Sequence, residues 1–166
     1  MKKLFLLMFL VASTAVMAQT GYVRSQGLLF AMPESATANK TLSELGAKLE
    51  AEVKKAEMNA ETKFKSLQYK ASDPDLSEAI KQDLASQAQT LQQELTRVKQ
   101  NAQQKLQEEE AKLMEPISAK LTAAIEKVAK EKGFKIIVDI SSVSYAEEGL
   151  DITLEVSKEL GIAPKE

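Results

Sequence analysis

The feature that most constrains this chain is a narrow apolar stripe that runs, breaks once and runs again. Its first part comprises Leu42, Leu45, Leu49, Val53, Ala56, Ala60, Phe64 and Leu67, in steps of 3, 4, 4, 3, 4, 4 and 3. Its second part comprises Ile80, Leu84, Ala88, Leu91, Leu95, Val98, Ala102 and Leu106, in steps of 4, 4, 3, 4, 3, 4 and 4. Mixed threes and fours keep one line on the face of a helix, and a line this narrow is a coiled-coil seam. A helix lying on a globular core would need a wider apolar band. The surrounding stretch, residues 39–132, is dominated by Ala, Glu, Lys, Gln and Leu, the best helix formers.

The break is Ala71-Ser72-Asp73-Pro74-Asp75-Leu76. Pro74 lacks a backbone donor and drives Asp73 out of helical geometry, so the first helix stops there. The second is expected to restart with Asp73 or Asp75 as its N-cap and Glu78 in its first turn. So short a connection makes the helices antiparallel, with a tip near residues 71–76. A first helix of about 34 residues would reach roughly 50 Å. Pro116 is a second interruption, read as the first position of a new helical segment after a kink. Beyond it Ile117, Leu121, Ala124, Ile125 and Val128 continue the pattern. Gly133 ends the helix, with Lys130 and Lys132 suiting its negative end.

The flanks, residues 19–38 and 133–166, form a small β body, giving an α+β fold. Gly21–Arg24 reads as a strand, and Gly27–Met32 as an apolar helical turn. Phe134–Ile140 is the strongest strand in the sequence, and Ser142–Ala146 is expected to pair with it as a hairpin. Asp151 is placed to cap a last helix over 152–160, stopped by Gly161. Three short strands leave open edges that invite pairing with another chain. A barrel whose interior side chains can fill takes about eight strands, a number that three copies would reach. A monomer, or a dimer formed along the coiled coils, is the competing expectation.

Residues 1–18 are set apart. Lys2 and Lys3 precede the apolar run Leu4–Val11, and Val16-Met17-Ala18 offers small residues before Gln19. This is the layout of a cleaved secretory signal peptide, and the apolar run is shorter than the roughly 20 residues of a membrane span. A location outside the cytoplasm is therefore expected. Setting aside Lys2 and Lys3 leaves 20 basic and 24 acidic residues, a net charge of about −4. No clustered basic face exists to hold nucleic acid. With no Cys no disulfide supports the fold, and with no His the commonest general base and metal ligand are missing.

No catalytic set emerges. There is neither a Gly-x-Ser-x-Gly elbow nor a Gly-rich phosphate loop, so no enzyme activity and no cofactor is expected. Glu108-Glu109-Glu110 points in diverging directions on a helix and reads as solvated surface. Asp73 and Asp75 lack the loop of a calcium site and read as capping residues. The Gln-rich second helix reads as helix surface, or as a wall that neither grips nor repels an unfolded chain. Met58, Met114 and Phe64 could offer soft contacts, although Phe64 and Met114 fall near the seam. Tyr69, Lys65 and Lys70, close to the tip, are the candidate contact residues.

At several points the chain resembles the Skp/OmpH-like family. The likeness rests on Gly21-Tyr22-Val23-Arg24-Ser25-Gln26 with Leu28-Leu29 and Met32-Pro33-Glu34, and on Pro116-Ile117. It also rests on residues 125–133, on Ile136 and Val138-Asp139, and on Asp151-Ile152-Thr153 with Val156 and Leu160. Each piece is short; their order along the chain gives the likeness its weight. The resemblance implies a homotrimer with a shared β-barrel body, completed through Tyr22, Val23, Ile136, Ile137, Val138 and Tyr145. It implies helical prongs around a cavity that captures unfolded outer-membrane β-barrel proteins in the periplasm without nucleotide. The family's best-known member has basic prongs linked to lipopolysaccharide. Here Lys63, Lys65, Lys70 and Lys81 face Asp73, Asp75 and Glu78, so no lipopolysaccharide site is carried over. Contact with a membrane surface has no support in the residues. The rival expectation is an exported coiled-coil adaptor that binds one folded partner through its tip.

Overall fold

The structure, a computed structural model, describes residues 20–162. The reading of residues 1–18 as a signal peptide lies outside them. In chain order the elements are β1 (Thr20–Val23), α1 (Ser25–Ala31), α2 (Pro33–Ala71), α3 (Glu78–Lys132), β2 (Ile136–Asp139) and α4 (Thr153–Glu159). Two short 3-10 turns, Ile140–Ser142 and Glu148–Leu150, lie between β2 and α4. The chain divides into two compact units. Pro33–Pro116 forms one, and the described residues up to Met32 with those from Ile117 onward form the other.

The Pro33–Pro116 unit is the helical hairpin. Every member of the two apolar stripes is buried or half-buried except Ile80, which is 47% exposed. Cross-helix neighbours fix an antiparallel register. Leu49 and Val53 share a groove with Val98 and Ala102, and Phe64 and Leu67 share one with Leu84 and Ala88. Lys99 Nζ lies 2.7 Å from Glu57 Oε1 between these levels. The 3, 4, 4 steps of α2 repeat every eleven residues, or about 3.67 residues per turn, near the 3.6 of an undistorted helix. The stripe therefore stays on one face over many turns.

At the tip, the Ser72 hydroxyl donates to Tyr69 O at 2.7 Å. The cap of α3 differs from the expectation. Ser77 Oγ accepts from Ile80 N at 3.4 Å, the geometry of an N-cap side chain. Asp73 Oδ1 is instead occupied by Asp75 N at 3.0 Å, a local turn around Pro74. Pro116 also differs: it lies inside α3, where a new helical segment was expected to start.

The other unit holds a two-stranded parallel sheet. β1 pairs with β2 in the register Thr20–Ile136, Gly21–Ile137, Tyr22–Val138 and Val23–Asp139. On its other side, Tyr22 O accepts from Ile152 N at 3.0 Å. Gly21 is required by close approach: a Cβ there would sit 2.9 Å from Ile137 Cδ1 and 3.2 Å from Leu150 O. Met32, Ile152, Val23 and Val156 are fully buried, joined by Leu28, Leu121, Val128 and Ile162. α3 and α4 both end in left-handed glycines, Gly133 at φ +75° and Gly161 at φ +69°. In each case the next residue donates back into the helix, Phe134 N to Ala129 O and Ile162 N to Ser157 O, which is the Schellman arrangement. Lys127 pairs with Glu159 at 2.6 Å and Lys132 pairs with Glu155, tying the last turns of α3 to α4.

The expected hairpin between Phe134–Ile140 and Ser142–Ala146 does not form. β2 ends at Asp139, the chain turns through Ile140–Ser142, and residues 143–147 carry no regular structure. The physical reason is the Asp139 side chain, which accepts from Ser141 N at 2.8 Å and from Ser141 Oγ at 2.5 Å. That local turn competes with continued strand geometry. β2 finds its partner in β1 instead, more than a hundred residues earlier in the chain.

Candidate functional site

Two regions carry surface that the fold leaves unsatisfied. The first is the distal part of the hairpin. Tyr69 is 82% exposed and lines a concavity of about 530 Å³ with Lys70, Pro74, Leu76, Ile80 and Leu84. Lys70 also faces a second groove of about 400 Å³, beside Lys63, Leu67, Leu91 and Glu94. A third, of about 360 Å³, is walled mainly by Phe64, Leu67, Leu84, Ala85 and Ala88. Alanines, Ala71, Ala85 and Ala88, line only the third groove, which is the apolar one; polar side chains dominate the second.

The three expected tip residues are only partly brought together. Tyr69 and Lys70 share one concavity, whereas Lys65 turns back along its helix to Glu61 at 2.7 Å. That hydrogen bond, with the lysine charge, holds the Glu61 carboxyl below its usual range. Such a pair on an open helix face contributes little to stability. Leu76 and Ile80 also belong to the tip surface, and the seam period assigned Ile80 inward. The signal for its exposure is its position one turn after the Ser77 cap, where α2 has already ended.

The second region is the edge of the body sheet. Among the described residues β2 pairs with β1 alone, so its other edge has no strand beside it. Ile136 on β2 is 53% exposed. After the 3-10 turn Val143 has extended backbone, φ −124° and ψ 137°, and Val143 and Tyr145 are 38% and 80% exposed. The chain bends at Ser144, between these two exposed side chains, so they sit on an irregular segment. The six expected body residues thus fall into different settings. Tyr22 and Val23 are sealed within their own unit, Ile137 and Val138 are half-buried, and Ile136 and Tyr145 face outward.

Asp139 stands at the junction of this region. Its Oδ2 accepts from Ser25 N at 3.0 Å, while Oδ1 serves Ser141. Hydrogen bonds from the Ser141 side chain and backbone, then from Ser25, hold its carboxyl down to about 2, as expected for a carboxylate with several donors. Near α1 and α4 a groove of about 610 Å³ is lined by Leu28, Phe30, Leu154 and Ile162, with Arg24 and Asp151 at its polar side. Arg24 Nε is 3.5 Å from Asp151 Oδ2. Among the described residues no group of three or more His, Cys, Asp or Glu side chains could hold a metal ion. No described helix is long and apolar enough to cross a membrane.

Residues 19–160 match the family described as outer membrane protein (OmpH-like). An uncharacterized protein of Aquifex aeolicus is 31% identical over 160 residues, covering 96% of both chains. A protein of Yersinia enterocolitica named chaperone protein Skp is 27% identical over 154 residues, covering 91% of this chain and 92% of its own. A Caulobacter crescentus crystal structure, described as an outer membrane chaperone of OmpH-like type, superposes with a TM-score of 0.64 at 17% identity. It covers 87% of this chain and 84% of its own, and at that identity it speaks for the fold alone.

Proposed function

The chain belongs to the OmpH-like outer membrane protein family, and from that premise we propose that it is an ATP-independent holding chaperone of the periplasm, which encloses unfolded outer-membrane β-barrel proteins and prevents their aggregation. The observation that carries the reading is the end-to-end relation to the protein named chaperone protein Skp. The relation spans both the hairpin and the body, so it includes the parts that a cage would need. Export through residues 1–18 belongs to the same proposal.

The physical mechanism is weak contact in number. A homotrimer forms when the open edge of β2 and the unpaired stretch around Val143 and Tyr145 meet strands of other copies, since unpaired backbone donors and acceptors at an edge gain by pairing. Each copy then contributes one hairpin. Shallow grooves near the tip, with Tyr69, Lys70, Leu76 and Ile80 around them, give a client many low-affinity contacts at high effective concentration. The client remains mobile and leaves as its own folding buries the strands that were held.

Light scattering of an unfolded β-barrel protein diluted from denaturant tests this. Equimolar trimer is expected to suppress the rise in scattering. Undiminished scattering would remove the holdase reading. Undiminished scattering with the parent protein, together with loss of one defined folded partner in a Tyr69→Ser, Ile80→Ser double variant, would favour the adaptor.

A further inference from the structure

The geometry points to Asp139 as a positioning residue for assembly: its carboxylate keeps β2 from folding back on Ser142–Ala146, and so leaves both the strand edge and that segment open to another copy. This rests on the trimer reading given above.

Local sequence and fold conflict at the end of β2. Residues 134–146 have the pattern of two strands joined by a tight turn, and an isolated chain would tend to close them as a hairpin. Such a hairpin would saturate the edge of β2 from within one chain. The structure shows instead a strand that stops at Asp139 and a 3-10 turn over Ile140–Ser142. One side chain spans both outcomes. Asp139 Oδ1 accepts from Ser141 N and Oγ, which curls the chain out of the strand direction. Asp139 Oδ2 accepts from Ser25 N, 114 residues away.

That second contact makes the turn depend on the completed body. Arg24 supplies no side-chain cap to α1, and the first amide groups of a helix lack partners inside it. Asp139 satisfies one of them from another element. The carboxylate is therefore held in place by β1 and α1 once β1 has paired with β2, and it then holds Ser141 away from the hairpin path. A carboxylate offers acceptors at both oxygens, and all three donors are N–H or O–H groups. Asparagine has one acceptor oxygen and an NH2 that cannot accept, so Asp139→Asn must give up the bond from either Ser25 N or Ser141 N.

Sedimentation equilibrium, together with hydrogen exchange of the full mature chain, tests the inference. Asp139→Asn is expected to raise the trimer dissociation constant at least tenfold, with helix content unchanged. The amides of residues 143–147 are expected to become protected even in dilute, dissociated protein, where in the parent chain they exchange freely. Wild-type assembly by Asp139→Asn, or a dissociated variant whose 143–147 amides stay unprotected, would overturn the inference. A variant that dissociates because the amides of 153–160 lose protection would also overturn it, since Asp139 would then only support the body. If the parent chain never assembles, the trimer reading fails by itself. The protection of 143–147 in Asp139→Asn still decides whether the carboxylate blocks the hairpin.

Discussion

The hairpin and the body bury their residues by different rules. In the hairpin each seam residue meets partners along a repeating register, so Leu49, Ala60, Leu84 and Leu91 are interchangeable in kind. The body relies on a handful of residues drawn from distant parts of the chain: Val23 and Met32 from its start, Ile152 and Val156 from its end. A repeated interface tolerates a local defect, because neighbouring turns hold the register. A small core assembled from both ends of a sequence does not, and it should fail as a unit.

That contrast gives an ordered set of tests. The largest effect is expected from Ile152→Ala, which empties a fully buried site and should cost about 2–5 kcal/mol. Thermal unfolding followed by hydrogen exchange should show the body opening while the amides of 45–100 remain protected. If both regions open together, the two rules collapse into one. Leu91→Ala should cost about 2–3 kcal/mol, since its seam site is shallower. It should lower the hairpin's own melting transition and leave protection at 153–160 unchanged.

Gly21→Ala should cost about 1–3 kcal/mol, because the new methyl meets Ile137 and the Leu150 carbonyl. A Gly21→Ala, Ile137→Val double variant, which frees the terminal carbon in the way, should recover part of the loss. Acid separates the regions again. Asp139 is held near 2 in the folded chain against an ordinary 3.8, so its stabilisation is present in full above about pH 4. It is lost as the pH falls through about 2. Body amides should therefore lose protection over that interval by more than they do in Asp139→Asn. At the small end, Gly46→Ala should stabilise the hairpin by about 0.5–1 kcal/mol, because Gly46 is helical and nothing lies near a Cβ there. A loss of stability would show that this glycine has a role that its surroundings do not reveal.

How much could be read in advance followed the same division. The inward positions from Leu42 to Leu67 and from Leu84 to Leu106 were legible because a helix repeats every 3.6 residues and burial follows that period. The helix-ending glycines Gly133 and Gly161 were legible because their left-handed backbone suits no other residue as well. Ile80 was misread because periodicity does not announce where the partner helix has run out. Ser77 was missed as the cap because Asp73 and Asp75, equally able residues, stood nearer the proline. The site residues divided likewise. The prominence of Tyr69 was visible from its place near the tip, but its sharing of a concavity with Leu76 and Ile80 required the turn to be built.

The residues by themselves determined that this chain would make a long antiparallel helical pair broken at Pro74, since that outcome depends on local period and a local breaker. The tertiary structure alone decided that β1 would lie parallel to β2 and that Ser142–Ala146 would stay unpaired. It also decided that Asp139 would cap a helix on the far side of the sequence. Strand choice is a competition among partners at every separation, and a contact spanning 114 residues leaves no periodic trace in the segments that make it.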